Sequence, residues 1–116
     1  MSHLTQIYQL LQTVLPNKVT YGTNIVDAVA LDVYPFIVYQ EISDRATTYA
    51  DNRPSVRIIT YQITLVTEQK EPTLEERLES AFQAVGFNYQ MVTEYVNEDN
   101  SVNRVYEIKL EEITHE

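Results

Sequence analysis

The 116-residue chain contains no cysteine. Structural disulfides, thiolate zinc sites and cysteine nucleophiles are therefore excluded together. There are two glycines, Gly22 and Gly86, too few to build a phosphate-cradling loop in any usual pattern. The two histidines, His3 and His115, lie near opposite ends of the sequence, where catalytic geometry is hard to hold. Neither a nucleophile elbow nor a serine or threonine arranged around a central histidine is visible. Basic residues are scarce as well: eight Lys and Arg against seventeen Asp and Glu give a formal net charge of -9. Nucleic-acid binding needs a basic patch to displace counterions from phosphates, so it is not expected as the main activity, and an acidic surface repels DNA. Long apolar runs are missing. The longest, Val33 to Tyr39, is interrupted by Pro35 and falls far short of the ~18 residues that cross a bilayer. The opening Met1-Ser2-His3-Leu4 lacks the basic stretch and apolar run of a signal peptide. These absences predict a cytoplasmic or virion protein with no membrane association, no cofactor, no metal and no enzymatic activity.

What is present points to one domain over residues 1–116, a length that buries roughly two thirds of its unfolded surface without metal or disulfide support. Leu4, Ile7, Leu11 and Val14 recur at helical spacing, so a helix is predicted from His3 to Leu15, capped by Ser2 and stopped at Pro16-Asn17. Lys18 to Tyr21 reads as a short strand closed by Gly22. Thr23 to Val33 fits either a short helix or an irregular loop, and a loop with one helical turn is favoured. Phe36 to Ile42 is a strand with Pro35 at its edge. Ser55 to Thr67 is a longer one, with Ile59, Tyr61, Ile63 and Leu65 on one face and Thr60, Gln62 and Thr64 on the other. Val56 and Ile58 have the opposite parity, which predicts a bulge near Ile58-Ile59 or a strand tip that meets a partner.

The connection from Ser43 to Pro54 is long and polar, and such loops tend to be functional or mobile. Thr73 to Val85 is a helix with a capping box of Thr73 and Glu76, a buried stripe of Leu74, Leu78, Ala81, Phe82 and Val85, and a left-handed cap at Gly86. Phe87 to Val96 and Val102 to Ile113 are two further strands joined by the turn Asn97 to Asn100. Tyr106, Ile108 and Leu110 point one way on the last strand, and Glu107, Lys109 and Glu111 the other. The order α-β-β-β-α-β-β predicts an α+β fold, a largely antiparallel sheet with two helices packed on one face.

Three acidic side chains on the second helix, Glu75, Glu76 and Glu79, are the nearest thing to a catalytic carboxylate group. They lie away from the apolar stripe, so they and Arg77 read as a solvated face. The turn at Glu98, Asp99 and Asn100 offers too few ordered ligands for calcium. What remains is a polar hairpin tip, sheet edges and nine tyrosines, and tyrosine is favoured both on half-buried strands and at interfaces. These are parts for contact between chains. Tyr49, Asp51, Asn52 and Arg53 are the candidate contact residues, with Tyr39 and Tyr61 as packing partners.

The order of short motifs resembles a known family. An amphipathic helix with Ile7-Tyr8 leads to the strand Tyr34-Pro35-Phe36-Ile37-Val38-Tyr39-Gln40. A Tyr-Ala-Asp-Asn loop from Tyr49 to Asn52 follows, then Tyr61-Gln62-Ile63 on a strand ending in Thr67, and a helix with Leu74-Glu75 that closes with Gly86-Phe87. Across residues 4 to 113 this is similar to the tail completion, or tail terminator, proteins of siphophages that infect Gram-positive hosts. The Thr23 to Val33 segment is longer and less proline-rich than the family pattern. The resemblance implies a homo-oligomeric ring, commonly a hexamer, in the virion at the head–tail junction, formed in the host cytoplasm during assembly. Its implied partners are the tail tube protein and a head-completion or connector protein, with DNA passing through the lumen unbound. A small ligand-binding or regulatory α+β domain, with an apolar pocket between helices and sheet, is the alternative that the residues leave open.

Overall fold

A computed structural model of the chain describes residues 3–22, 34–47 and 55–114. Among these residues two helices and five strands follow in the order α1 (His3–Val14), β1 (Val19–Tyr21), β2 (Phe36–Thr47), β3 (Ser55–Thr67), α2 (Pro72–Ala84), β4 (Tyr89–Val96) and β5 (Val102–Thr114). The strands form one sheet in the order β1-β2-β3-β5-β4. β1 runs parallel to β2, and every other neighbouring pair is antiparallel. The fold is thus α+β, in the expected order of elements. The parallel β1–β2 pair is what the sequence pattern does not show.

Each helix forms where apolar spacing and end signals agree. In α1, Ile7, Leu11 and Val14 are buried at helical spacing. The helix ends because Pro16 cannot continue it and Asn17 takes a left-handed φ of 65°. The Asn17 amide then donates to the Gln12 side-chain oxygen at 2.7 Å. α2 begins one residue earlier than expected. Pro72 occupies the first helical turn, Glu71 is the N-cap, and no side-chain cap bond forms. The Thr73–Glu76 capping box is therefore replaced by proline's preset φ at a position whose N–H is not needed. At the other end Gly86 has φ 75°, the Gly86 amide donates to the Gln83 carbonyl at 3.1 Å, and the Phe87 amide to the Phe82 carbonyl at 2.9 Å. This is a Schellman closure. It puts Val85 at the cap and leaves it half exposed, not in the buried stripe.

The core lies between the two helices and one face of the sheet. Ile7 and Leu11 from α1, Leu78 and Phe82 from α2, Ile37 from β2, Ile63 from β3, and Tyr106 and Ile108 from β5 are all fully buried there. Burying one such side chain contributes about 1.5–3 kcal/mol. On β3, Ile59, Tyr61, Ile63 and Leu65 face this core as the alternation predicts. Phe36, Val38 and Val66, of opposite parity, form a second small cluster with Tyr34.

The β2–β3 hairpin differs from expectation in two ways. β2 runs on to Thr47 rather than ending at Ile42, which shortens the connection to residues 48–54. The bulge lies on β2, between Glu41 and Ser43, and not on β3, which pairs with β5 without interruption from Ser55 to Thr67. Val56 and Ile58 simply belong to the face that carries Thr60 and Gln62. The predicted turn of helix within Thr23 to Val33, the Ser2 cap and His115 lie outside the described residues.

Candidate functional site

Arg104 shares the parity of Tyr106 and Ile108 on β5, so its side chain points toward α2. Its guanidinium donates to Tyr106 Oη at 2.6 Å, to Glu94 Oε1 at 3.1 Å and to Glu79 Oε2 at 3.1 Å. The Tyr106 hydroxyl donates in turn to Glu79 Oε2 at 2.7 Å. Lys70 Nζ bridges Glu75 at 2.8 Å and Glu94 at 2.6 Å. Glu75 is buried, at 6% exposure, and its carboxylate also lies 3.6 Å from Arg104 Nε. The expectation of a solvated face is corrected here: Glu76 is exposed, but Glu75 and Glu79 are drawn inward by two cations. Arg77 also reaches across, donating to the Val14 carbonyl at 3.1 Å and so joining the two helices.

This cluster has the build of a clamp. A carboxyl that donates protons near neutrality needs its pKa raised. The Lys70 bond, aided by Arg104, instead holds the Glu94 carboxyl below its ordinary range. Burial, and next the bond to Glu79, pushes the Tyr106 hydroxyl well above its ordinary value, so it stays a hydrogen-bond donor. Together the groups tie α2 to β4, β5 and the connection before α2. Arg104 was detectable in the sequence: a charged residue on the apolar parity of β5 demands buried counter-charges, and glutamates four apart on a helix supply them.

A smaller ion cluster sits at the opposite end of the helix-facing side. Arg57 pairs with Asp44 through two hydrogen bonds, and with Glu112 at 3.6 Å; His3 Nδ1 lies 3.5 Å from the same Glu112. Arg57 and Asp44 are solvated, and exposed pairs contribute little to stability. At the β4–β5 turn, Asp99 accepts from the Ser101 side chain and amide and from the Tyr34 hydroxyl at 2.7 Å. These bonds, Ser101 first, hold its carboxyl at about 2.

The candidate contact residues divide in two. Tyr49, Asp51, Asn52 and Arg53 lie outside the described residues, between the ends of β2 and β3. Tyr39 and Tyr61 are buried core residues. Burial, with Glu41 next, pushes the Tyr61 hydroxyl up to about 12. The aromatic rings that reach the surface beside Tyr39 are those of Tyr8, 6.2 Å away, and Tyr21, 5.1 Å away in edge-to-face contact.

The two ends of the sheet carry surface features that sequence reading did not single out. β4 ends the strand order on one side, and Met91, Val92, Tyr95 and Val96 on it are all exposed, Val96 by 65%. A bulge between Met91 and Thr93 turns Val92 out of the ladder and leaves Thr93 to Val96 regularly paired with β5. β1 ends the order on the other side, beside Tyr8 of α1. α1 contains no Asp, Glu, Lys or Arg, and it exposes Gln6, Tyr8, Gln9 and Thr13. Alternation alone could not reveal that β4 is an edge, because strand order is set by which strands meet after folding.

A cavity of about 520 Å³ is lined by Gly86, Tyr89, Glu107, Lys109 and Leu110, among others. It opens beside β4 and β5 and not between helices and sheet, where the apolar pocket of a ligand-binding domain was expected and where the core residues fill the space. Among the described residues no helix is long and apolar enough to cross a membrane.

No protein-family model and no curated protein matches the chain. Among solved structures, it is similar to a chain in one described as the virion of a native gene transfer agent (GTA) particle. That likeness covers 91% of this chain and 92% of the other, with a TM-score of 0.46 and 9% sequence identity.

Proposed function

We propose that the chain is a non-enzymatic virion assembly protein that forms a ring at the end of a phage tail tube, ending tube polymerisation and joining tail to head. The observation that carries the reading is the ordered series of short motifs, which resembles the pattern of siphophage tail terminators. They fall on successive elements of the fold: Ile7-Tyr8 on α1, Phe36 to Gln40 on β2, Tyr61-Gln62-Ile63 on β3, Leu74-Glu75 on α2 and Gly86-Phe87 at its closing turn. Two further features support it. The exposed apolar residues of β4 lie on a sheet edge, the place where chains add to one another. The net charge of -9 suits a lumen through which DNA must slide without adhering. In this reading Tyr49, Asp51, Asn52 and Arg53 at the hairpin tip contact the tail tube or a neighbouring subunit.

The reading is tested by adding the purified chain to polymerising tail tube protein from a siphophage. Substoichiometric amounts are expected to shorten the tubes and to remain bound at their ends. An unchanged length distribution would overturn it.

A further inference from the structure

The two ends of the sheet differ in charge as well as in position. Residues 1–22, which carry α1 and β1, include one charged side chain of the Asp, Glu, Lys and Arg set, the basic Lys18. Residues 87–101, which carry β4 and its turn, include Glu94, Glu98 and Asp99 and no Lys or Arg. In a chain of net charge -9, two copies repel over most pairs of surfaces. These two edges can meet without opposing like charges, because a near-neutral edge that carries Lys18 faces one whose uncompensated charges, with Glu94 held by Lys70 and Arg104, are those of Glu98 and Asp99.

Strand direction agrees. β1 and β2 run one way, β3 the other, β5 the first way again, and β4 opposite to it. A second copy placed alongside in the same orientation would bring its β1 antiparallel to β4, the pairing that lets a twisted sheet continue. The lengths agree too, since the regular part of β4 beyond its bulge, Thr93 to Val96, is about as long as Val19–Tyr21. The surface chemistry also fits: Tyr95 and Val96 are exposed on one edge, Tyr8 and Tyr21 on the other. The β4 edge carries neither lysine nor proline, two of the devices that stop an edge from pairing, and its bulge lies before the stretch Thr93 to Val96.

We infer that the β4 edge of one subunit docks on the α1–β1 edge of a second copy, in a head-to-tail contact that extends the sheet from subunit to subunit. Such a contact is heterologous, so repetition closes a ring or grows a filament. This deepens the assembly reading and rests on it. It assigns subunit contacts to the sheet edges and leaves the hairpin tip for the tail.

The absence of cysteine makes the test clean. Thr93→Cys and Tyr21→Cys, which the antiparallel register brings near each other, are made separately in the full chain, both at exposed positions, and treated with a short bis-maleimide alone and as a mixture. The mixture is expected to give a crosslinked dimer, and neither variant alone. In parallel, Val96→Lys is expected to weaken self-association by about tenfold or more with an unchanged melting temperature. Crosslinking of Thr93→Cys to itself would overturn the head-to-tail contact. An oligomer that forms without any 21–93 crosslink would overturn the edge assignment while leaving the assembly reading in place. A wild-type chain that stays monomeric, with variants that give no crosslink in the mixture, would overturn both.

Discussion

The Tyr106 hydroxyl donates to Glu79 Oε2 at 2.7 Å, so the middle of β5 is bonded to the middle of α2 at the base of the core. Tyr106 is fully buried. Tyr106→Phe keeps the ring and removes this charge-assisted bond, at an expected cost of about 1.5–3 kcal/mol. Urea denaturation with an unchanged m-value would measure it. A double-mutant cycle with Glu79→Ala is expected to show coupling, since each partner's loss removes the same bond.

Arg104 faces three glutamates, of which Glu75 is the most buried. Arg104→Met fills similar volume but leaves Glu79 with the Tyr106 hydroxyl and Glu75 with Lys70. Removing one partner of a buried ion cluster costs about 3–5 kcal/mol. The expected result is a cost near the lower end, because Lys70 still serves Glu75 and Glu94. It reads out as a fall in urea midpoint with the secondary structure retained.

The Asp99 carboxyl is held at about 2, against an ordinary value of 3.8, chiefly by Ser101 and then by Tyr34. A folded-state value below the unfolded one means that the carboxylate form favours the folded state. Its contribution is complete above the unfolded value and is lost as pH falls from about 4 toward about 2. The stability gap between wild type and Asp99→Asn is therefore expected to stay constant near neutrality and to shrink across that acid window. A gap that persists unchanged at pH 2 would contradict this account of the turn.

The hairpin tip is tested by Tyr49→Ala combined with Asp51→Ala. Assembly on tail tubes is expected to fail while the melting transition stays in place. Loss of folding in the double variant would assign these residues to the core instead.

Much of the fold was legible because period and parity are local. Ile59, Tyr61, Ile63 and Leu65 declare one face of β3, and Gly86 declares the end of α2. What was hidden depends on partners distant in sequence. The three residues of β1 carry no mark of a parallel neighbour. The β2 bulge at Ile42 is fixed by register against Tyr61 and Thr60, and the parity change at Val56 and Ile58 misdirected it to β3. Glu75 and Glu79 read as solvated because an amphipathic helix is polar on its flank, and the fact that Arg104 and Lys70 stand over that flank belongs to tertiary structure. Tyr39 and Tyr61 read as contact residues because tyrosine suits both surface and core; packing under the helices decides for the core. The exposed Met91, Val92, Tyr95 and Val96 became a candidate surface only when strand order placed β4 at an edge.

Native mass spectrometry of the purified protein over a range of concentration and salt shows whether this chain assembles with copies of itself. A discrete closed oligomer is expected, with a hexamer as the main species. A strict monomer at every concentration and salt would rule out self-assembly.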